Sequence, residues 1–188
     1  MLVLASQSPR RREILTQADF TFTIRVPGIE EVRLSAESPE DYVRRLAVEK
    51  ARAAACAPEE FVLAADTVVV VDGAVLEKPV SEREAGEMLR RLSGRSHAVL
   101  TGVCLLHSGQ EWSGAESTSV FFSALTETEL RDYCASGEPM DKAGAYAIQG
   151  LASKFIERVE GCYFNVVGLP VSLVYRLCKQ AGYSFNAG

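Results

Sequence analysis

Residues 2–12, Leu-Val-Leu-Ala-Ser-Gln-Ser-Pro-Arg-Arg-Arg, contain the strongest signal for the fold. The apolar run from Leu2 to Ala5 predicts a short buried strand. Ser8 and Pro9 then predict the start of a helix, with Ser8 as N-cap and Pro9 at the first helical position, where a missing N–H does no harm. A strand, a tight polar turn and a helix in that order are typical of an α/β protein.

Three arginines, Arg10, Arg11 and Arg12, fall in the first turn of that helix. The positive end of the helix dipole disfavours each of these cations by about 0.3–1 kcal/mol. Backbone N–H groups at a helix start and guanidinium groups both bind negative charge. The placement therefore favours a polyanion site, and three solvated arginines are the alternative.

The rest of the chain alternates between strand and helix patterns, without repeats or a long linker. The Asp72-Gly73 pair predicts a hairpin, which requires a mixed rather than a purely parallel sheet. The predicted strands are Phe20–Val26, Val62–Val71, Ala74–Leu76, His97–Leu106, Ser117–Phe122 and Phe155–Val159. The predicted helices run from Ser38 to about Cys56, from Ser81 to about Leu92, from Thr126 to near Gly137, and from Pro170 to Ala181. We expect an α/β fold in which a mixed, twisted sheet is flanked by helices, in a single domain spanning residues 1–188.

Composition limits the partners of the protein. The 188 residues are 47% hydrophobic and carry a net charge of -5, so no global basic field exists for nucleic acid or for an anionic membrane. No apolar run approaches the ~20 residues that cross a membrane. The five cysteines are scattered, which indicates core residues in a reducing compartment. We therefore expect a cytoplasmic protein that binds neither nucleic acid nor membrane.

Asp66 is the most anomalous residue, because it lies inside the apolar run Val-Leu-Ala-Ala-Asp-Thr-Val-Val-Val-Val. An unpaired carboxylate there would be costly, so such a residue is usually held by cations or a metal, or used for proton transfer. A structural Asp that meets backbone N–H groups is the alternative. Thr67 adds a second polar group to the same run and favours a functional role.

Two lysines are weaker candidates. Lys50 follows Leu46 by four residues on the apolar face of its predicted helix, so it either extends to the rim or points into a cleft. Lys78 follows a hairpin strand and is equally consistent with a solvated side chain. The chain has no P-loop motif and no G-x-S-x-G, and its two histidines are ten residues apart, which disfavours a P-loop NTPase, a serine hydrolase and a histidine-rich metal site.

Taken together, eight ordered blocks resemble the Maf family of nucleoside triphosphate pyrophosphatases. They are Ala5–Arg11, Gly28–Glu31, Glu49–Arg52, Ala64–Thr67, Leu76–Pro79, Ser93–His97, Asp141–Gly150 and Val166–Pro170. The Asp-Lys-Ala-Gly-Ala-Tyr-Ala-Ile-Gln-Gly block is similar to the branch that acts on dTTP and UTP. The resemblance implies an inosine-triphosphatase-like fold, with two lobes around a cleft, and usually a homodimer.

The resemblance also implies roles for individual residues. Asp66 matches the proton acceptor of the family. Arg10, Thr67 and Gln149 match positions tied to base specificity. The polar positions that line the family's cleft are matched by Ser8, Arg11, Glu31, Lys50, Lys78 and Lys142.

The implied reaction cleaves a nucleoside triphosphate between its α and β phosphates, which requires a polarised water and cations on both phosphates. A divalent metal, Mg²⁺ or Mn²⁺, is the natural bridge between phosphates and the carboxylates of Asp66 and Glu31. Whether Asp66 is the base or a metal ligand stays open.

Gln149 offers a donor and an acceptor, which suits the O4/N3–H edge of uracil and thymine. Modified pyrimidine nucleotides are further candidate substrates. The alternatives are the same chemistry on 7-methyl-GTP or another non-standard nucleotide, and a nucleotide-binding regulator of cell division.

Overall fold

The computed structural model describes residues 1–185 and has a mixed α/β architecture. Its strands are β1 (Leu2–Leu4), β2 (Phe22–Ile24), β3 (Phe61–Val71), β4 (Ala74–Leu76), β5 (Ser96–His107), β6 (Gln110–Phe122) and β7 (Ile156–Glu160). Its helices are α1 (Pro9–Gln17), α2 (Pro39–Ala54), α3 (Glu82–Leu92), α4 (Glu127–Ala135), α5 (Tyr163–Val167) and α6 (Val171–Gln180). Short 3-10 turns occupy Glu138–Asp141, Ala143–Ala145 and Leu151–Phe155.

The seven strands form one sheet in the order β2-β1-β3-β5-β6-β7, with β4 paired to β3. Strand β1 is parallel to both β2 and β3, whereas β4 and β7 pair antiparallel with β3 and β6. The Asp72-Gly73 turn joins β3 to β4, and both of its residues have positive φ, as a type I′ hairpin turn requires. The predicted mixed sheet is therefore confirmed.

Some predicted boundaries were wrong. Strand β6 begins at Gln110 rather than Ser117, because the two-residue turn Ser108-Gly109 keeps the polar stretch that follows it in the sheet. Helix α5 was not predicted, since five residues are too few to show a helical period. Strand β2 covers only Phe22–Ile24 of the predicted Phe20–Val26.

The described chain separates into two compact units. Unit 1 comprises residues 1–66, 101–116 and 168–185, and unit 2 comprises residues 67–100 and 117–167. The boundary within β3 falls between Asp66 and Thr67. The predicted single domain extends to residue 188, and residues 186–188 lie outside the described part of the chain.

In unit 1, helix α2 packs very closely against strand β5. The buried face of α2 is rich in small side chains, including Ala47, Ala51 and Ala54. At Gly102 of β5, a Cβ atom would lie 2.2 Å from the carbonyl oxygen of Val43. Only glycine permits this approach, because a contact below 3.0 Å with backbone cannot be relieved by rotating a side chain.

Unit 2 has its own core, in which α3 and α4 contribute Leu89, Leu92, Leu130 and Tyr133. A buried amide lies beside this core. Asn165 is fully buried and its Nδ2 donates to the carbonyl of Val99 and to the hydroxyl of Thr118, both at 2.9 Å. These bonds fix α5, which is too short to be stable by itself.

The remaining predictions about the molecule concern cysteines and membranes. All five cysteines are free thiols. Cys104, Cys134 and Cys178 are buried as predicted, whereas Cys56 is exposed and Cys162 is half-buried. Within residues 1–185, the helices are too short or too polar to cross a bilayer.

Candidate active site

The turn between β1 and α1 has the predicted backbone. Ser8 is at the N-cap position with an extended conformation, and proline follows at the start of the helix. The predicted N-cap position of Ser8 is confirmed, although its side chain makes no capping hydrogen bond. Instead, the Ser8 N–H donates to the Ser6 hydroxyl at 3.2 Å. The turn is thus closed by Ser6, which is buried.

Arg11 connects three segments of unit 1. Its Nε donates to the carbonyl of Gly168 at 2.8 Å, and its Nη1 donates to the carbonyl of Ala65 at 2.7 Å and to Ser6 Oγ at 3.3 Å. Burial lowers the pKa of Arg11, and the nearby charges of Asp66 and Glu31 oppose that shift. Phosphate binding by Arg11 stays a prediction. Arg11 also has a structural role, because it binds the carbonyl of Ala65, the residue before Asp66.

Asp66, Lys50 and Glu31 form a compact charged cluster in unit 1. Lys50 Nζ lies 2.6 Å from Asp66 Oδ1 and 2.7 Å from Glu31 Oε1. The side chains of Lys50 and Asp66 are only 9% and 8% exposed, whereas that of Glu31 is 50% exposed. The buried face of α2 and the buried strand β3 bring Lys50 and Asp66 together. Lys50 therefore points inward rather than extending to solvent, and Asp66 has the cationic partner that its burial demands.

The donor set of this cluster fits a divalent metal that also keeps other ligands. Carboxylate oxygens are what Mg²⁺ prefers, and Mg²⁺ is usually held by one or two carboxylates together with water and substrate phosphates. Glu31 and Asp66 both reach one cation, the Lys50 ammonium. Among the described residues no group of three or more His, Cys, Asp and Glu could hold a metal unaided. The two carboxylates are thus suited to a metal that arrives with phosphate.

Arg10 lies in the first turn of α1 and is half-buried. Its charge lowers the pKa of neighbouring Arg11. Of the predicted site residues, Ser8, Arg10, Arg11, Glu31, Lys50 and Asp66 belong to unit 1.

The other predicted site residues, Thr67, Lys78, Lys142 and Gln149, belong to unit 2. Thr67 is half-buried in β3, and Lys78 and Gln149 are exposed. Lys142 donates from Nζ to the carbonyl of Glu138 at 3.1 Å and pairs with Asp141.

The segment that carries Lys78 and the loop that carries Gln149 are joined through their backbones. The N–H of Gly144 donates to the carbonyl of Glu77 at 3.1 Å. Unit 2 therefore places one predicted phosphate-binding lysine beside the loop that holds the predicted base-reading residue.

The sequence did not predict the partners of this loop. Tyr146 Oη lies 2.7 Å from His97 Nε2, and both residues are buried. Burial lowers the pKa of His97 to about 4, so the ring is neutral at neutral pH. The aromatic rings of Tyr146, His97 and Phe122 also pack edge to face. The signal was present in the sequence, because a lone histidine in an apolar strand needs a partner.

The fold has a counterpart among solved structures. Its architecture is similar to the structure of a HAM1 protein from Coxiella burnetii, with a TM-score of 0.53 over 97% of this chain and 98% of that one. The two sequences are only 16% identical, so this likeness concerns the fold alone.

The sequence then identifies the family. The family model described as Maf-like protein matches residues 1–181, and the chain belongs to this family. A dTTP/UTP pyrophosphatase from Koribacter versatilis is 49% identical over 96% of this chain and 94% of its own length. A dTTP/UTP pyrophosphatase from Salmonella typhimurium is 51% identical over 99% of this chain and 93% of its own length. The family resemblance predicted from the eight sequence blocks is confirmed.

Proposed function

We propose that this protein is a nucleoside triphosphate pyrophosphatase that hydrolyses dTTP and UTP to the nucleoside monophosphate and pyrophosphate. The observation that carries the proposal is the identity of about half of all residues, over nearly the whole chain, to relatives named dTTP/UTP pyrophosphatase. The buried Asp66–Lys50 pair is the chemical support, because a buried carboxylate held by a lysine ammonium at 2.6 Å is a charged group placed inside an apolar strand.

In the proposed reaction, a water oxygen forms a new bond to the α-phosphorus while the bond from that phosphorus to the α–β bridging oxygen breaks. The water gives up its proton to the Asp66 carboxylate, and the electron pair of the broken bond leaves with pyrophosphate. The ammonium of Lys50 holds Asp66 through its Oδ1 at 2.6 Å. Positioned general bases of this kind contribute about 10²–10⁴-fold in rate.

We also propose that Mg²⁺ or Mn²⁺ takes part, held by Glu31 and Asp66 together with the substrate. When bound, the cation would neutralise charge that develops on the phosphate oxygens. Both carboxylates already reach one positive group, which supports this assignment. The side chains proposed to bind the phosphates are those of Lys78, Lys142, Arg11 and Ser8. The side chains proposed to select the base are those of Arg10, Thr67 and Gln149.

The location of the protein and its oligomeric state belong to the same proposal. We infer a cytoplasmic location from the five free thiols, since a reducing compartment preserves them. We infer a homodimer from the family resemblance alone. Size-exclusion chromatography with light scattering tests the latter, and a monomeric mass at micromolar concentration contradicts it.

The experiment is a substrate panel of dTTP, UTP, dCTP, dGTP, a modified pyrimidine triphosphate and 7-methyl-GTP with Mg²⁺ or Mn²⁺, with the products identified. Release of pyrophosphate from dTTP and UTP is expected. Preference for 7-methyl-GTP, or binding without turnover, would instead support the alternative substrate or the regulator. Asp66→Asn should lower kcat by about 10²–10⁴-fold, while the matched surface variant Asp132→Asn should leave it unchanged. Wild-type kcat in Asp66→Asn would refute the proposed role.

A further inference from the structure

One pair of side chains in unit 2, Tyr133 and Glu138, holds the loop that carries Gln149. The Tyr133 hydroxyl donates to Glu138 Oε1 at 2.9 Å. Glu138 Oε2 accepts from the N–H of Leu151 at 2.9 Å. The backbone of Ala147 is also close enough to the Tyr133 hydroxyl to act on its pKa. The pair therefore binds the chain two residues after Gln149 and lies near it two residues before.

The Tyr133 phenol is well placed to hold this loop rigidly. Tyr133 is buried in the core of unit 2, and its ring packs edge to face against Phe155 at 5.6 Å. Burial and the Glu138 carboxylate raise the pKa of Tyr133, so the phenol keeps its proton. An uncharged hydroxyl of this kind can donate, as its hydrogen bond to Glu138 requires.

Glu138 also fits closely against the loop. A Cβ atom at Gly150 would lie 2.3 Å and 2.4 Å from the two carboxylate oxygens of Glu138, so the carboxylate occupies the space that a side chain at position 150 would fill. The carbonyl of the same Glu138 accepts from Lys142 Nζ. One residue thus supports both the proposed base-reading amide and a proposed phosphate-binding lysine.

We propose that Tyr133 and Glu138 are positioning residues that fix Gln149, and that they thereby determine the base selectivity of the enzyme. This inference rests on the proposed function. Selectivity depends on the position of Gln149 because a hydrogen bond to a base edge weakens steeply as its geometry departs from linear. A side chain as exposed as that of Gln149 has little else to hold it, so its backbone must be fixed by its neighbours.

The test compares kcat/KM for dTTP, UTP, dCTP and dGTP in wild type and variants of the full chain. Tyr133→Phe keeps the packed ring and removes only the hydroxyl. Glu138→Ala removes the carboxylate, and Gly150→Ala displaces it. Each should lower the preference for dTTP and UTP over dCTP by about tenfold, mainly through KM. Glu138→Gln should restore most of the preference, since its amide oxygen can accept from Leu151 while its NH₂ donates to Tyr133.

A further measurement and a control variant separate positioning from simple loss of stability. The Leu151 amide should exchange with solvent faster in Glu138→Ala than in wild type, at unchanged exchange of the core strands. The matched control Glu157→Gln, an exposed carboxylate on β7, should change neither selectivity nor exchange.

The outcomes of the test are distinct. An equal fall in kcat/KM for all four bases, or unchanged selectivity with a lower melting temperature, overturns the inference and leaves the proposed function standing. A wild-type enzyme that releases pyrophosphate from neither dTTP nor UTP overturns the proposed function and this inference with it.

Discussion

Lys50→Met removes a positive charge that lies against both Asp66 and Glu31. The ammonium lies 2.6 Å from Asp66 and 2.7 Å from Glu31, and the Lys50 and Asp66 side chains are nearly buried. At an effective dielectric constant of about 20, two unit charges roughly 3 Å apart attract by about 5 kcal/mol. Much of that attraction offsets the desolvation of the pair, but removing one partner exposes the full penalty of the other.

Breaking a buried ion pair on one side destabilises a protein by about 3–5 kcal/mol. We therefore expect Lys50→Met to lower the free energy of unfolding by about 3–5 kcal/mol. For a chain of this size, each kcal/mol corresponds to about 2–4 °C in Tm, so the expected fall in Tm is about 6–20 °C. Methionine keeps most of the length of the lysine stem, so loss of packing contributes little.

The assay is urea denaturation followed by circular dichroism, on wild type, Lys50→Met and the double variant Lys50→Met with Asp66→Asn. The double variant should be less destabilised than the sum of the two single variants, because it no longer buries an unpaired carboxylate. Arg83→Met is the control, since Arg83 pairs with Glu87 on the surface of α3. We expect it to change stability by less than about 0.5 kcal/mol. A Lys50→Met variant within that same range would refute the buried ion pair.

Three other perturbations have defined outcomes. Gln149→Glu keeps an acceptor oxygen at this position and loses the NH₂ donor. The kcat/KM for dTTP and UTP should therefore fall by about tenfold to a hundredfold, while that for CTP falls much less. An equal loss for all bases would mean that Gln149 does not contact the base. The hydrogen bond from Arg25 lowers the pKa of Glu60 to about 2. The pair therefore stabilises the folded protein above the pKa of Glu60 in the unfolded chain, about 4.3, and this stabilisation is lost as the pH falls towards about 2. Glu60→Gln should therefore flatten the plot of Tm against pH between about pH 5 and pH 2, and an unchanged plot argues against the pairing. Asn165→Ala leaves the Val99 carbonyl without its buried donor and should lower the free energy of unfolding by about 1–3 kcal/mol in urea titrations, whereas a neutral effect would show that the amide is dispensable.

The sequence was informative where a local rule applied. The cap at Ser8, the Asp72-Gly73 hairpin and the apolar run around Asp66 each carry their own signal, and each element lies where it was expected. Asp66 stood out because burial of a carboxylate is anomalous in any fold. The same logic would have marked His97, whose partner Tyr146 is 49 residues away in the chain.

What the sequence did not predict depends on contacts between distant segments. Nothing near Arg11 in the chain indicates that its guanidinium binds the carbonyls of Ala65 and Gly168. Glu138 lies in a polar stretch that looks like ordinary loop, and its role follows only from its contacts with Tyr133 and Leu151. Single-sequence patterns report periodicity and local geometry, and they carry no information on which loops meet.

The close contact at Gly102 bears on how this enzyme tolerates mutation. Glycine inside a strand is an obvious target for a stabilising replacement, because a larger residue there usually strengthens the strand. At this position any side chain would meet the backbone of Val43 and Arg44, at 2.2 Å and 2.6 Å, so the helix itself would have to move. Lys50 lies about two turns further along that helix and would move with it. A library built to raise thermostability would therefore lose activity at Gly102, although that residue has no chemistry of its own.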